Sequence, residues 1–123
     1  MGHEFEELSS RVLGAAIHVH RELGPGYLES IYHKALRIAL VQRGIQYLDQ
    51  HPVTVSYQRT PVGQGRLDFL VEEQLVVELK AVNALHDVHF AQLRSYLKAT
   101  GLHKGLLLNF HAPKLEIRRV IEG

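Results

Sequence analysis

Glu78-Leu79-Lys80 sets an acid and a lysine two residues apart inside an apolar run that includes Leu75, Val76, Val77, Ala81 and Val82. Side chains alternate along a strand, so Glu78 and Lys80 share one face while Leu79 points to the other. Charges on an otherwise apolar strand are costly unless they are paired or bind an ion. A second acid, Asp68, is embedded in Leu67, Phe69, Leu70 and Val71. If Glu72-Glu73-Gln74 forms a three-residue loop, Val71 pairs with Leu75, and Asp68 comes to face Glu78. Two carboxylates directly opposite each other repel. A divalent cation between them reverses that penalty, and hard oxygen ligands suit Mg²⁺ or Mn²⁺ better than zinc. The backbone carbonyl of Leu79 would add a further oxygen.

These residues need a hairpin and partners to hold it. Arg66 to Val71 and Leu75 to Val82 read as the two strands of that hairpin. Upstream, Phe5, Leu8, Val12, Ala15 or Ala16, Val19 and Leu23 recur at steps of three and four, which predicts an amphipathic helix. Gly24-Pro25-Gly26 stops it. A second helix is expected from about Tyr27 to Arg43, with Leu28, Ile31, Tyr32, Ala35, Leu36 and Ala39 inward. Val53, Val55 and Tyr57 alternate with Thr54, Ser56 and Gln58 and predict a half-buried strand. Pro61 to Gly65 reads as a break. Asp87 to Thr100 returns to helical spacing, with Val88, Ala91, Leu93 or Leu97 and Tyr96 inward, Asp87 as cap and Gly101 as stop. Lys104 to Phe110 reads as a central strand and Glu116 to Ile121 as a short edge strand. The order α-α-β-β-β-α-β-β implies an α/β or α+β fold, helices covering a mixed central sheet, in one domain over residues 1–123.

Asp68 followed by Glu78-Leu79-Lys80 resembles the signature of the PD-(D/E)xK nuclease superfamily. Gly26-Tyr27-Leu28-Glu29-Ser30-Ile31-Tyr32 is similar to the G-x-x-E-x-x-Y pattern of that superfamily's GxxExxY family, as is the stretch from Ala16 to Pro25. Gln92-Leu93-Arg94-Ser95-Tyr96 resembles the glutamine-x-x-x-tyrosine helix motif of the exonuclease-like branch. Leu107-Leu108-Asn109-Phe110 resembles the family's last core strand. The match runs over nearly the whole chain, in the expected order. It departs in one place: Leu67 stands where the signature has proline before the first acid.

The resemblance implies a restriction-endonuclease-like core and hydrolysis of phosphodiester bonds in DNA, less readily in RNA, with Mg²⁺ or Mn²⁺ as cofactor. It implies that Asp68, Glu78 and the Leu79 carbonyl hold the metal, with Glu29 close by directly or through water. Lys80 would orient the attacking water and stabilise charge on the phosphate. Gln92 and Tyr96, one helical turn apart, would order the site, and Tyr32 would hold Glu29. Two alternatives stay open on the same residues: a nucleic-acid-binding or regulatory module without turnover, and a structural protein whose acids bind only a stabilising ion. A domain this small would gain reach as a homodimer or with a protein partner.

Composition narrows the rest. The chain has 123 residues, 46% hydrophobic and 22% charged, enough for a real core and too apolar for disorder. It has no cysteine, which excludes disulfides, thiolate metal sites and cysteine nucleophiles. Its nine histidines offer no third zinc ligand at recognisable spacing: His18 and His20 diverge on a helix, and His86 and His89 are only a pair. Gly24-Pro25-Gly26 lacks the ending and the preceding strand of a phosphate loop. The net charge of +1 means that nucleic-acid binding needs a local patch or a metal. Lys98, Lys104, Lys114, Arg118 and Arg119 are candidates for a phosphate-tracking rim. Acids at Glu4, Glu6 and Glu7 and the lack of a long apolar run argue against a signal peptide or membrane span, so the cytoplasm is the expected compartment.

Overall fold

The computed structural model describes residues 2–123, with side chains from Glu6 onward; Phe5, expected on the first inner stripe, lies outside the described side chains. The first two stripes form α1 (Gly2–Leu23) and α2 (Glu29–Gln42). Leu8, Val12, Ala15, Ala16 and Val19 are buried on α1, and Tyr32, Leu36, Ala39 and Leu40 on α2. Five strands follow: β1 (Tyr47–Tyr57), β2 (Thr60–Val71), β3 (Leu75–Lys80), β4 (Lys104–Asn109) and β5 (Glu116–Ile121). α3 (Asp87–Thr100) connects β3 to β4. The sheet runs β1-β2-β3-β4-β5. Only β3 and β4 are parallel, because only they are joined by a helical crossover. The fold class and element order are those expected.

Strand alternation sorts the apolar residues into two cores. α1 and α2 pack on one face with Phe69, Val71, Val77, Leu79, Leu106 and Leu108. Leu93 and Leu97 of α3 pack on the other with Val53, Leu67, Leu70, Val76, Leu107 and Val120. Leu79 is fully buried, on the face away from Glu78 and Lys80.

Several local expectations are corrected. α2 starts at Glu29, and Leu28 and Ile31, expected inside, are 73% and 40% exposed. On α3, Val88 and Ala91 are exposed, Phe90 packs partly instead, and His86, not Asp87, is the N-cap residue, with its amide donating to His89 Nδ1 at 3.0 Å. β1 begins at Tyr47, six residues earlier than alternation suggested, because its first half carries Asp49, His51 and Pro52. Proline is tolerated there because β1 is an edge strand.

The stretch Pro61 to Gly65 is strand, not break. The turn lies one step earlier, at Gln58-Arg59, where Tyr57 pairs with Thr60 and both central residues have positive φ (49° and 66°). That two-residue geometry favours Asn-Gly, and each non-glycine residue in it costs roughly 1–2 kcal/mol. β3 stops at Lys80 rather than Val82 because the side chain of Asn109 takes over. Its Oδ1 accepts from the Val82 amide (3.1 Å) and its Nδ2 donates to the Val82 carbonyl (2.9 Å). Among the described residues no helix is long and apolar enough to cross a membrane.

Candidate active site

The β2–β3 hairpin has the three-residue loop and the register Phe69↔Val77, Leu70↔Val76, Val71↔Leu75. Continued by one step, that register brings Asp68 opposite Glu78. The backbone ladder ends there, and side chains replace it. The Asp68 amide donates to Glu78 Oε2 at 2.6 Å, and the Leu79 amide donates to Asp68 Oδ2 at 2.8 Å. Each acid is thus locked to the opposing strand rather than to its own.

The strands part here for a reason in the sheet. Leu67 packs under α3, whereas Phe69, two residues on, packs under α1 and α2. Strict alternation would put both on one face, so β2 exchanges faces around Asp68. Across from Asp68, Gln50 has φ +53°, and the β1–β2 pairing steps from Asp49↔Phe69 to His51↔Leu67. The Leu79 amide is directed at β2, so its carbonyl lies on the same edge of β3. The Lys80 carbonyl faces β4, where it accepts from the Phe110 amide at 2.9 Å.

Glu29, Asp68, Glu78, Lys80, Gln92 and Tyr96 all line one cleft of about 480 Å³, with Pro52, Gln64, Gly65 and Arg66 completing its wall. The six side chains that the resemblance implies for the chemistry are therefore brought together: one from α2, one from β2, two from β3 and two from α3. Gly65 permits the approach of α3, since a Cβ there would lie 2.6 Å from the Tyr96 ring.

All three acids are held above the ordinary carboxylate range. Burial, then the Asp68 carboxylate, push Glu78 up to about 8. Burial also raises Asp68, against the opposing effects of the Leu79 amide, His33, Lys80 and Arg66. Partial burial and Asp68 raise Glu29. Lys80 acts on all three acids, and the cleft is short of positive charge.

A profile of the PD-(D/E)XK nuclease superfamily matches residues 6–120, nearly the whole chain. The chain belongs to the PD-(D/E)XK nuclease superfamily. No curated protein matches it. Two solved structures share its fold. The crystal structure of SSO0001 superposes with a TM-score of 0.61 at 20% identity, over 76% of this chain and 49% of that one. The chain therefore spans about half the length of SSO0001. The alkaline exonuclease LHK-Exo from Laribacter hongkongensis superposes with a TM-score of 0.55 at 13% identity, over 93% of this chain and 70% of that one.

Nucleases of this superfamily generally use divalent metal ions. The donor chemistry here fits: two inward carboxylates and a strand carbonyl are hard oxygens, and two neighbouring acids gain from a cation between them. Among the described residues, however, no three His, Cys, Asp or Glu side chains are gathered as a preformed metal cage. In this superfamily member the two acids are instead occupied by backbone amides.

Other residues reach the cleft indirectly. Tyr32 does not hold Glu29, as expected, but the turn before it. Its hydroxyl donates to the Gly24 carbonyl and accepts from the Tyr27 amide at 3.2 Å, and its ring stacks on Phe110 at 4.7 Å. Gly26 has φ +112°, a conformation that side chains resist. The G-x-x-E-x-x-Y spacing thus reads physically: glycine makes the turn, tyrosine staples it, and Glu29 emerges at the helix start. Arg66, which the sequence offers as either a phosphate contact or a strand end, lines the cleft, whereas His33 is not singled out by sequence reasoning. His33 stacks on Phe69 at 4.3 Å, lies 3.2 Å from Asp49 Oδ2 and acts electrostatically on Glu29 and Asp68. The available signal was its position one helical turn from Glu29. The basic rim expected near the C-terminus does not form at the cleft: none of its five residues lines it, and Arg118 pairs with Glu116 at 3.1 Å.

Proposed function

We propose that this chain is a metal-dependent nuclease that hydrolyses phosphodiester bonds in DNA, of the GxxExxY type within its superfamily. The observation that carries the reading is the pairing of Asp68 and Glu78 where two strands part, with Lys80, Glu29, Gln92 and Tyr96 lining the same cleft. Asp68, Glu78 and the Leu79 carbonyl are the residues that would hold Mg²⁺ or Mn²⁺, with Glu29 beside them. Such an ion would lower the pKa of a water and offset charge on the phosphate. The protein's own part is electrostatic. Lys80 faces the developing charge on the phosphate in a site where few other cations compete. Gln92 and Tyr96 position the phosphate from one face of α3.

The test is cleavage of labelled single-stranded DNA, duplex DNA and RNA with Mg²⁺, Mn²⁺ or EDTA. The expected result is metal-dependent cutting of DNA, abolished by EDTA. One observation favours a second reading, a nucleic-acid-binding module without turnover: no three metal-ligating side chains are gathered among the described residues. Binding without cutting in either metal would establish that reading instead.

Gly65 supplies an independent prediction. Gly65→Ala places a methyl group against the Tyr96 ring, which must move. Overpacking costs about 1–3 kcal/mol, and misplacing a positioning group by about 1 Å lowers rate roughly a hundredfold. Cleavage is therefore expected to fall about that much while Tm drops by several degrees. Adding Tyr96→Ala should restore Tm but not cleavage; recovery of both would remove Tyr96 from the site.

A further inference from the structure

β1 and β2 have 11 and 12 residues, while β3, β4 and β5 have six each. β3 pairs with β2 only at Phe69 to Val71, so the rest of β2 pairs with β1 alone. The outer part is a two-stranded ribbon that leaves the sheet at the cleft. Its residues are exposed from Thr54 to Gln64, including Tyr57 at 66% and Val62 at 63%.

Its charge differs from that of the cleft. No acid stands between Asp49 and Asp68, whereas Arg59 and Arg66 do. Arg66 lines the cleft, and Arg59 sits at the tip with no ion pair among the described residues. The tip turn keeps Gln58-Arg59 in left-handed backbone conformations that Asn-Gly would adopt with less strain. Long polar and cationic side chains are thus present at the exposed tip of the ribbon in spite of local preference.

We propose that this ribbon is the arm that grips B-form DNA, lying in the major groove beside the cleft with Arg59 on a phosphate. The proposal rests on the nuclease reading and adds its substrate class, duplex DNA. A two-stranded ribbon fits the B-DNA major groove, while the deep, narrow major groove of A-form RNA excludes it. From Arg66 to the tip the ribbon reaches about 20 Å, roughly six base pairs from the cleft. Tyr57, flanking the turn, is a further phosphate or sugar donor. Addition of a strand from another protein chain is disfavoured, because Pro52, Pro61 and the bulge at Val55/Ser56 blunt both edges.

The test is the double substitution Gln58→Asn with Arg59→Gly, which suits the turn and leaves the cleft untouched. Binding is followed by fluorescence anisotropy in EDTA with a labelled duplex of about 20 base pairs and a labelled hairpin whose stem of about four base pairs is too short to span from the cleft to the tip. The expected result is a roughly threefold to fivefold higher Kd for the long duplex, a salt slope smaller by about 0.9, and no change for the short hairpin. Tm should stay level or rise. An unchanged Kd and slope on the long duplex, with wild type binding normally, would overturn the arm. So would equal weakening on both lengths, or equal weakening on single-stranded DNA or RNA duplex. If wild type neither binds nor cuts any nucleic acid, the nuclease reading fails first, and the arm with it.

Discussion

Lys80→Ala is expected to lower cleavage about a hundred- to thousandfold while the protein stays folded. The reason is the position of the side chain. Lys80 is partly exposed at the end of β3, and its charge acts on Glu29, Asp68 and Glu78 together. A charge aimed at a developing oxyanion is typically worth roughly 3–4 kcal/mol in the transition state. Its contact with the substrate ground state is worth less, so the loss should fall on kcat rather than on KM. Lys80→Arg should rescue poorly, because a planar fork does not replace a compact ammonium. Steady-state cleavage of labelled DNA, with circular dichroism to confirm folding, checks both. A loss confined to KM would make Lys80 a binding residue only, and an unchanged rate would remove it from the mechanism.

The second large effect is on stability. Burial and Asp68 push Glu78 up to about 8 in the folded protein, well above its ordinary value of 4.5. Between these pH values the folded state holds a proton that the unfolded chain has released. The slope of stability with pH is then negative. With respect to this group the metal-free protein should therefore be most stable below about pH 4.5. It should lose stability steadily as pH rises through about 8, by a Tm change on the order of 10 °C. Glu29 and Asp68 are raised too and push in the same direction. Mg²⁺ binds the ionised acids, so it should raise Tm more at pH 8.5 than at pH 5.5. Glu78→Gln should flatten the pH dependence and abolish the Mg²⁺ shift, as read by thermal melts in EDTA and in Mg²⁺. A Tm that rises with pH in EDTA would show that Glu78 is ionised in the free protein.

Both effects arise from the same arrangement. Glu78 is costly to ionise because it is almost completely buried beside another acid, and strongly perturbed acids in a cleft mark a functional site. Asn109 and Tyr32 maintain it from a distance. Asn109 ties the chain leaving β3 to β4, and its Nδ2 also donates to Glu116 at 3.1 Å. Tyr32 ties the turn that delivers Glu29. Neither lines the cleft.

The sequence by itself determined the helices, the hairpin and the pairing of its acids. Helical stripes and strand alternation are local properties, and a three-residue loop sets a register without help from elsewhere. It also determined which six residues to gather, because their motifs carry them in chain order. Only the tertiary structure decided how Asp68 and Glu78 bond, since β2 exchanges faces there to satisfy two cores packed from opposite sides. Long-range packing likewise decided that Leu28 and Ile31 stay in solvent and that Tyr32 turns to the Gly24 carbonyl instead of Glu29. The arm was illegible for a local reason: Pro61 to Gly65 reads as a break, and Gln58-Arg59 does not read as a turn. Pairing along the whole ribbon outweighed each of these preferences, as cooperative hydrogen bonding does when no single residue decides the conformation.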